Sequence, residues 1–212
     1  MNKSKYIVGA VFNSKAGGDF EIIEIIDSNN VKIRFLDEFK FEKIVNKNSI
    51  RKNSVKNPYK PTIFGIGYFG VGKYKSKYGS TSKGFNNTVE YNTWQNMLQR
   101  CYYGKYVCRV DGCIIYDNVE VCKDWHNFQN FAEWYNSKVA TFKGIDVGRL
   151  HVDKDILSRG TSRIYSPETC CIIPKKLMLS LSGRINQNPQ IYHQTLLNQR
   201  MDIGSLDLMV QL

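Results

Sequence analysis

The first 55 residues contain short stretches in which apolar and polar residues alternate. The clearest is VKIRF at residues 31–35, where three apolar side chains would share one face of a strand and two basic ones the other. An Asp-Ser-Asn-Asn sequence precedes it, and these residue types tolerate turn geometry. The same reasoning predicts strands at residues 6–12, 20–26, 31–35, 39–45 and 49–52. Five short strands with tight turns predict a small β-barrel of the Src-homology or Tudor kind over residues 1–57.

Helical periodicity begins near residue 90. Apolar residues at helical spacing run from Tyr91 to Cys101, with Asn92 or Thr93 as the candidate N-cap. A second helix is predicted after Asp124, its expected N-cap. This helix would carry an aromatic stripe, which we interpret as core, at Phe128, Phe131 and Tyr135.

From residue 150 onward the pattern predicts a strand, a loop, a second strand and a helix. The strands are expected at residues 150–157 and 164–173. Pro174 suits the first position of a helix, and Gly183 can end it. The fold class predicted from the whole pattern is α+β, with the helices and the strand–strand–helix segment at residues 88–183 and an atypical tail at 184–212.

A basic segment rich in glycine and tyrosine, residues 58–87, connects the predicted barrel to the helices. Pro58 and Pro61 mark its start, and its glycines predict an extended arm or a hairpin. Lys73, Lys75 and Lys77 alternate with other residues, which would place their charges on one side of a strand. Together with Lys83, they are the candidate phosphate contacts of this arm.

The positive charge of the chain is concentrated in this front part. The net charge is +11 over 212 residues, and residues 1–83 contain 16 Lys and Arg against 7 Asp and Glu, so +9 of it lies there. No acidic residue occurs between Lys43 and Val89, and seven tyrosines and phenylalanines lie in that window. Lysines interleaved with aromatic rings favour a nucleic-acid partner. No amphipathic helix accompanies the charge, so a membrane surface is not expected as a partner.

The six cysteines have irregular spacing, and no Cys-x2-Cys pair of the zinc-binding kind occurs among them. We therefore expect no zinc. The N-terminus lacks the apolar core of a signal peptide. Both features favour a reducing compartment, the cytoplasm, with free thiols.

Four motifs occur in one order: YNTWQNMLQRCY, VEVCKDWHNFQNFAEWY, HVDKDIL and YSPETCCIIP. Together they resemble a family of phage-encoded homing-endonuclease-like proteins described as HNH endonucleases, over roughly residues 88–183. The resemblance implies a ββα-metal module, a DNA substrate and, for a phage protein, the cytoplasm of a bacterial host. Such proteins often carry a C-terminal Apetala-type DNA-binding domain. The tail at 184–212 does not look like one, so we interpret the chain as a truncated or frame-shifted relative.

The resemblance also implies roles for residues in the HVDKDIL motif. Asp153 matches the aspartate that binds a divalent metal, Mg²⁺ or Mn²⁺, while Lys154 stands where the family has its histidine base. Met178 stands where a helix residue completes the metal site, and methionine is no ligand for magnesium. In an extended strand His151, Asp153 and Asp155 would share one face and could form a substitute set with His151 as base.

The candidate site residues are assigned three kinds of role. As catalytic candidates we take His151, Asp153, Lys154 and Asp155; as metal ligands, Asp153 and Asp155; as DNA contacts, Lys73, Lys75, Lys77, Lys83, Arg159, Arg163 and Lys175. The first hypothesis is a metal-dependent DNA endonuclease or nickase, and the second is a catalytically silent DNA-binding or regulatory protein. The third is a protein-interaction module whose barrel binds a partner. In the alternative view of the site, the two aspartates pair with Lys154 or Arg159 and His151 only packs.

Overall fold

The computed structural model describes residues 5–103, 118–143, 148–158 and 161–175. The chain divides into two compact units, residues 1–73 and 74–212. Both strands and helices are present, and most paired strands are antiparallel. Within the described ranges, no helix has the length and the apolar character needed to cross a bilayer.

The first unit contains one sheet of four antiparallel strands in the order in which they occur along the chain. The strands are β1 (Val11–Ser14), β2 (Gly18–Ile25), β3 (Asn30–Phe35) and β4 (Glu42–Asn46). Alternation along β3 buries Val31, Ile33 and Phe35, as the sequence pattern predicts.

The predicted closed barrel is wrong, because in residues 5–73 the edge strands β1 and β4 do not pair. The predicted fifth strand is instead the short helix α1 (Lys47–Arg51). Asn46 starts this helix by accepting a hydrogen bond from the backbone N–H of Asn48, and Ile50 packs into the core beneath the sheet. Without a fifth strand, nothing bridges the two edges of the sheet.

The outer face of this sheet carries charged residues of both signs. Glu42 contacts Lys32 at 2.8 Å and Arg34 at 2.7 Å, and Arg34 also reaches Glu21 at 3.5 Å. Exposed pairs of this kind contribute little to stability. They do neutralise this face, so it is a poor surface for binding a polyanion.

The second unit contains the remaining elements. Its strands are β5 (Lys77–Ser80), β6 (Gly84–Asn87), β7 (Glu120–Val121), β8 (Leu150–Asp153), β9 (Ile164–Tyr165) and β10 (Cys171–Pro174). Its helices are α2 (Val89–Tyr102), α3 (Phe128–Ala140) and the single turn α4 (Asp155–Ser158), with a 3₁₀ helix at Lys123–His126. An aromatic core holds α2 and α3 together, as the sequence predicts, at Trp94, Trp125, Phe128 and Phe131, each 0–1% exposed.

Both helices begin at other residues than the sequence predicts. The hydroxyl of Thr88 accepts a hydrogen bond from Tyr91 N and caps α2, and Asn127 caps α3 in place of Asp124. Several residue types that can cap a helix stand close together at both places.

The two predicted C-terminal strands are shorter than expected. The first ends at Asp153, two residues before the start of α4, and the second is split by a turn into β9 and β10. β8 pairs with β10 in antiparallel fashion, with Asp153 opposite Cys171 and His151 opposite Ile173. Pro174, predicted to begin a helix, is instead the last residue of β10. Lys175 is the last described residue, so the rest of the helix predicted to end at Gly183 lies outside the described residues.

Candidate nucleic-acid interface

β5 and β6 form a two-stranded hairpin in which every residue except Asn87 is exposed. Three residues connect the strands, and Lys83 N donates to Ser80 O at 3.2 Å. Gly84 follows with φ +77°, which a glycine adopts without strain. Within the segment 58–87, for which the sequence predicts an extended arm or a hairpin, the hairpin thus forms at residues 77–87.

The base of the hairpin is fixed to both long helices of the second unit. Thr88, the N-cap of α2, donates from its backbone N to Ser76 O at 2.9 Å and from its hydroxyl to Lys75 O at 3.1 Å. The buried carboxamide of Gln129 on α3 bonds both backbone groups of Tyr74, at 2.9 Å to N and 3.0 Å to O. The Tyr74 hydroxyl donates to Glu133 at 2.9 Å. The ribbon is therefore anchored at its base, while its strands and tip are exposed.

Gln129 and Glu133 were not among the predicted functional residues. They lie four residues apart on α3, and their only signal in the sequence is that they interrupt an aromatic segment.

The lysines that were predicted to lie along one side of a strand do not all lie in a strand. Only Lys77 lies in a strand, Lys75 precedes it, and Lys83 lies in the connecting loop. Lys73 is the last residue of the first unit. No continuous strand runs from 73 to 77, and both backbone groups of residue 74 are instead bonded to Gln129. Lys75, Lys77 and Lys83 are exposed, and their ammonium groups form no ion pair with a described residue.

A second group of predicted site residues lies around the end of β8. Asp153 Oδ1 accepts hydrogen bonds from Asp155 N at 2.8 Å and from Ile156 N at 2.9 Å, and so caps α4. Burial raises the pKa of this carboxyl above its ordinary value, and the two N–H donors oppose that shift. Asp155 lies in α4 and not in the strand, so the expected common strand face holds for His151 and Asp153 but is wrong for Asp155.

Lys154 is buried, 9% exposed, and its ammonium group contacts Asp155 Oδ1 at 2.5 Å. The same group donates to Ser162 O at 3.3 Å and lies 5.9 Å from the centre of the Tyr165 ring. A cation bound between the aspartates would have to displace this ammonium group. Among the described residues, no three His, Cys, Asp or Glu side chains gather in a way that could hold a metal ion. The described side chains therefore do not fit Mg²⁺ or Mn²⁺ at Asp153 and Asp155.

His151 lies on β8 with a buried Nε2 atom that has no hydrogen-bond partner among the described residues. Burial lowers its pKa, and the charges of Arg149, Lys175 and Arg100 lower it further. The imidazole is therefore neutral at pH 7.

The remaining predicted residues are not gathered into one site by any contact that we can describe. Arg163 and Lys175 are exposed, the former beside β9 and the latter after β10, where Lys175 N donates to Arg149 O at 2.7 Å. Arg159, Met178, Cys108 and Cys113 lie outside the described residues. Burial raises the pKa of Cys101 to about 11 and those of Cys170 and Cys171 to about 12, so these thiols are protonated at pH 7.

Replacing Asp153 with asparagine tests whether the negative charge of its carboxylate destabilises the folded chain. Because the pKa of Asp153 is higher in the folded chain than in the unfolded chain, its protonated form stabilises the fold. That stabilisation is fully present below pH 3.8 and is lost as pH rises through the raised folded pKa. Asparagine keeps the capping oxygen and cannot ionise. We expect Asp153→Asn to be more stable than wild type at pH 7 and equal to it near pH 3, measured by urea unfolding. A metal site would be indicated instead if the variant were less stable than wild type at pH 7 and Mn²⁺ stabilised wild type but not the variant.

Comparison of the chain with known protein families, with curated proteins and with solved structures found no match.

Proposed function

We propose that this chain is a DNA-binding protein related to the phage HNH endonucleases, and that it binds DNA through the hairpin of β5 and β6. The observation that carries the proposal is the exposure of Lys75, Lys77 and Lys83 on a ribbon that is anchored at its base. Exposed lysines release counterions when they contact phosphates, which is the main source of affinity in sequence-independent binding.

The charge around the hairpin supports a polyanion as the partner. The acid-free window from Lys43 to Val89 includes the whole hairpin, so no carboxylate within this stretch competes for its lysines. In the sheet of the first unit, by contrast, Glu21 and Glu42 pair with the basic residues beside them. A two-stranded ribbon also has dimensions that the DNA major groove, about 12 Å wide, can accept.

We propose binding without cleavage, because the two carboxylates predicted to bind a metal already have partners. Asp153 caps α4, and Asp155 pairs with the buried ammonium group of Lys154. A lysine ammonium is also a poor general base at neutral pH. The endonuclease hypothesis keeps one supporting observation, the neutral His151, whose Nε2 has no hydrogen-bond partner among the described residues.

The test combines DNA binding at several salt concentrations with plasmid nicking. We expect log K to fall linearly with log salt, with a slope of about −2 to −3 for three lysine contacts. We expect no nicking with Mg²⁺ or Mn²⁺. Nicking that Asp153→Ala abolishes would show that the site is catalytic. If the chain shows neither DNA binding nor nicking, the proposal is refuted and a protein-interaction module is favoured.

A further inference from the structure

The hairpin carries two aromatic rings that the described residues leave uncovered. Tyr78 is 59% exposed and Phe85 is 57% exposed. Neither ring contacts another aromatic ring among the described residues. In the core of α2 and α3, by contrast, the rings of Trp94, Trp125, Phe128 and Phe131 are buried.

The strand register places the two rings on opposite faces of the ribbon. Tyr78 lies opposite Asn86, and Phe85 lies opposite Gly79, one position closer to the connecting loop in each strand. Neighbouring positions in a strand point to opposite faces. Gly79 has no side chain to cover Phe85, and a Cβ atom there would collide with the carbonyl oxygen of Gly84. This geometry therefore requires glycine opposite the ring.

Rings on both faces suit unpaired bases better than a closed duplex. A ribbon lying in a groove turns one face to the DNA and the other to water, which would leave one ring without a contact. The flat faces of paired bases are also stacked on each other and closed to a side chain, whereas an unstacked base can lie on an aromatic ring.

We propose that Tyr78 and Phe85 stack on unpaired bases, so that the hairpin binds single-stranded DNA in preference to duplex of the same sequence. The inference rests on the proposed function. Lys77 shares the Phe85 face and Lys83 lies at the tip, so phosphates on either side of a stacked base have basic partners.

The experiment measures the affinity of the full chain for a 5′-labelled oligonucleotide, alone and annealed to its complement, at several salt concentrations. We compare wild type with Tyr78→Leu and Phe85→Leu, which keep an apolar side chain and remove the ring. Each is expected to weaken single-strand binding about tenfold, because the stacking of one base on an aromatic ring is lost. Duplex affinity and the salt slope should stay unchanged, because no charge is altered.

Tyr103→Leu is the matched control, because Tyr103 is a 58% exposed aromatic residue of the same unit outside the hairpin. It should bind like wild type. A 2-aminopurine base in the oligonucleotide gives a second readout, since its fluorescence falls when it stacks. This quenching should disappear in the two ring variants.

Three outcomes would overturn the inference: equal affinity of wild type for both DNA forms, unchanged single-strand affinity in the ring variants, or an equal loss for single strand and duplex. If hairpin lysine variants still lose DNA binding in those cases, the proposed function stands without the stacking. If wild type binds neither form, both proposals fail.

Discussion

A chain in which Lys75, Lys77 and Lys83 are all replaced by glutamate is expected to lose DNA affinity by at least about 100-fold at 0.15 M salt. Each phosphate contact contributes roughly five- to sixfold at that salt concentration, and the three contributions multiply. Glutamate adds repulsion from the phosphates to the loss of attraction. All three side chains are exposed, so the fold should be unaffected.

The dependence on salt makes this result specific. Losing three contacts should bring the slope of log K against log salt close to zero, because each contact accounts for about 0.7 to 0.9 of it. Binding measured by fluorescence anisotropy between 50 and 300 mM salt gives both quantities. Circular dichroism confirms that the variant is folded.

The control has the same change in net charge at another place in the second unit: glutamate at Lys123, Lys138 and Lys143. If DNA is bound through the hairpin, this variant should lose much less affinity than the hairpin variant. Equal losses in both variants would show that binding follows total charge, and would contradict an interface on the hairpin.

Replacing Trp94 with alanine is expected to lower the free energy of unfolding of the second unit by about 3–5 kcal/mol. The side chain is 0% exposed and packs beside Tyr91 and Phe128, with ring centres 5.7 and 5.5 Å away. Its Nε1 donates to Trp125 O at 2.6 Å, so the substitution also removes a buried hydrogen bond. The cavity and the lost hydrogen bond act in the same direction.

Tryptophan fluorescence during urea unfolding measures this loss directly, because all three tryptophans lie in the second unit. Two of them remain as probes in the variant. Trp94→Phe separates the two causes, since it fills part of the space but removes the donor, and its loss should be smaller. A Trp94→Ala variant that unfolds like wild type would mean that α2 and α3 do not pack as described.

The interpretation of the acidic motif depends on the residue at which its strand ends. As a strand, HVDKDIL presents His151, Asp153 and Asp155 on one face. In the structure the strand ends at Asp153, because its carboxylate accepts the first N–H groups of α4. Asp155 is thereby placed beside Lys154. The same cap that sets the end of the strand thus disfavours the metal site.

Some features of this protein follow from the sequence by itself. The alternation in β3 and the aromatic stripe of α3 were correctly predicted, and the basic, acid-free window is read directly from the sequence. Each depends on residues close together in the chain, where period and charge are properties of the local sequence.

Other features were decided only by the tertiary structure. The open sheet, the anchoring of Tyr74 by Gln129 and the ion pair between Lys154 and Asp155 depend on contacts across the fold or on where an element ends. Capping and pairing are chosen among several competent residues, and packing makes that choice. The sequence thus determined which part of the chain is basic, whereas tertiary contacts decided which lysines extend into solvent and which one is buried.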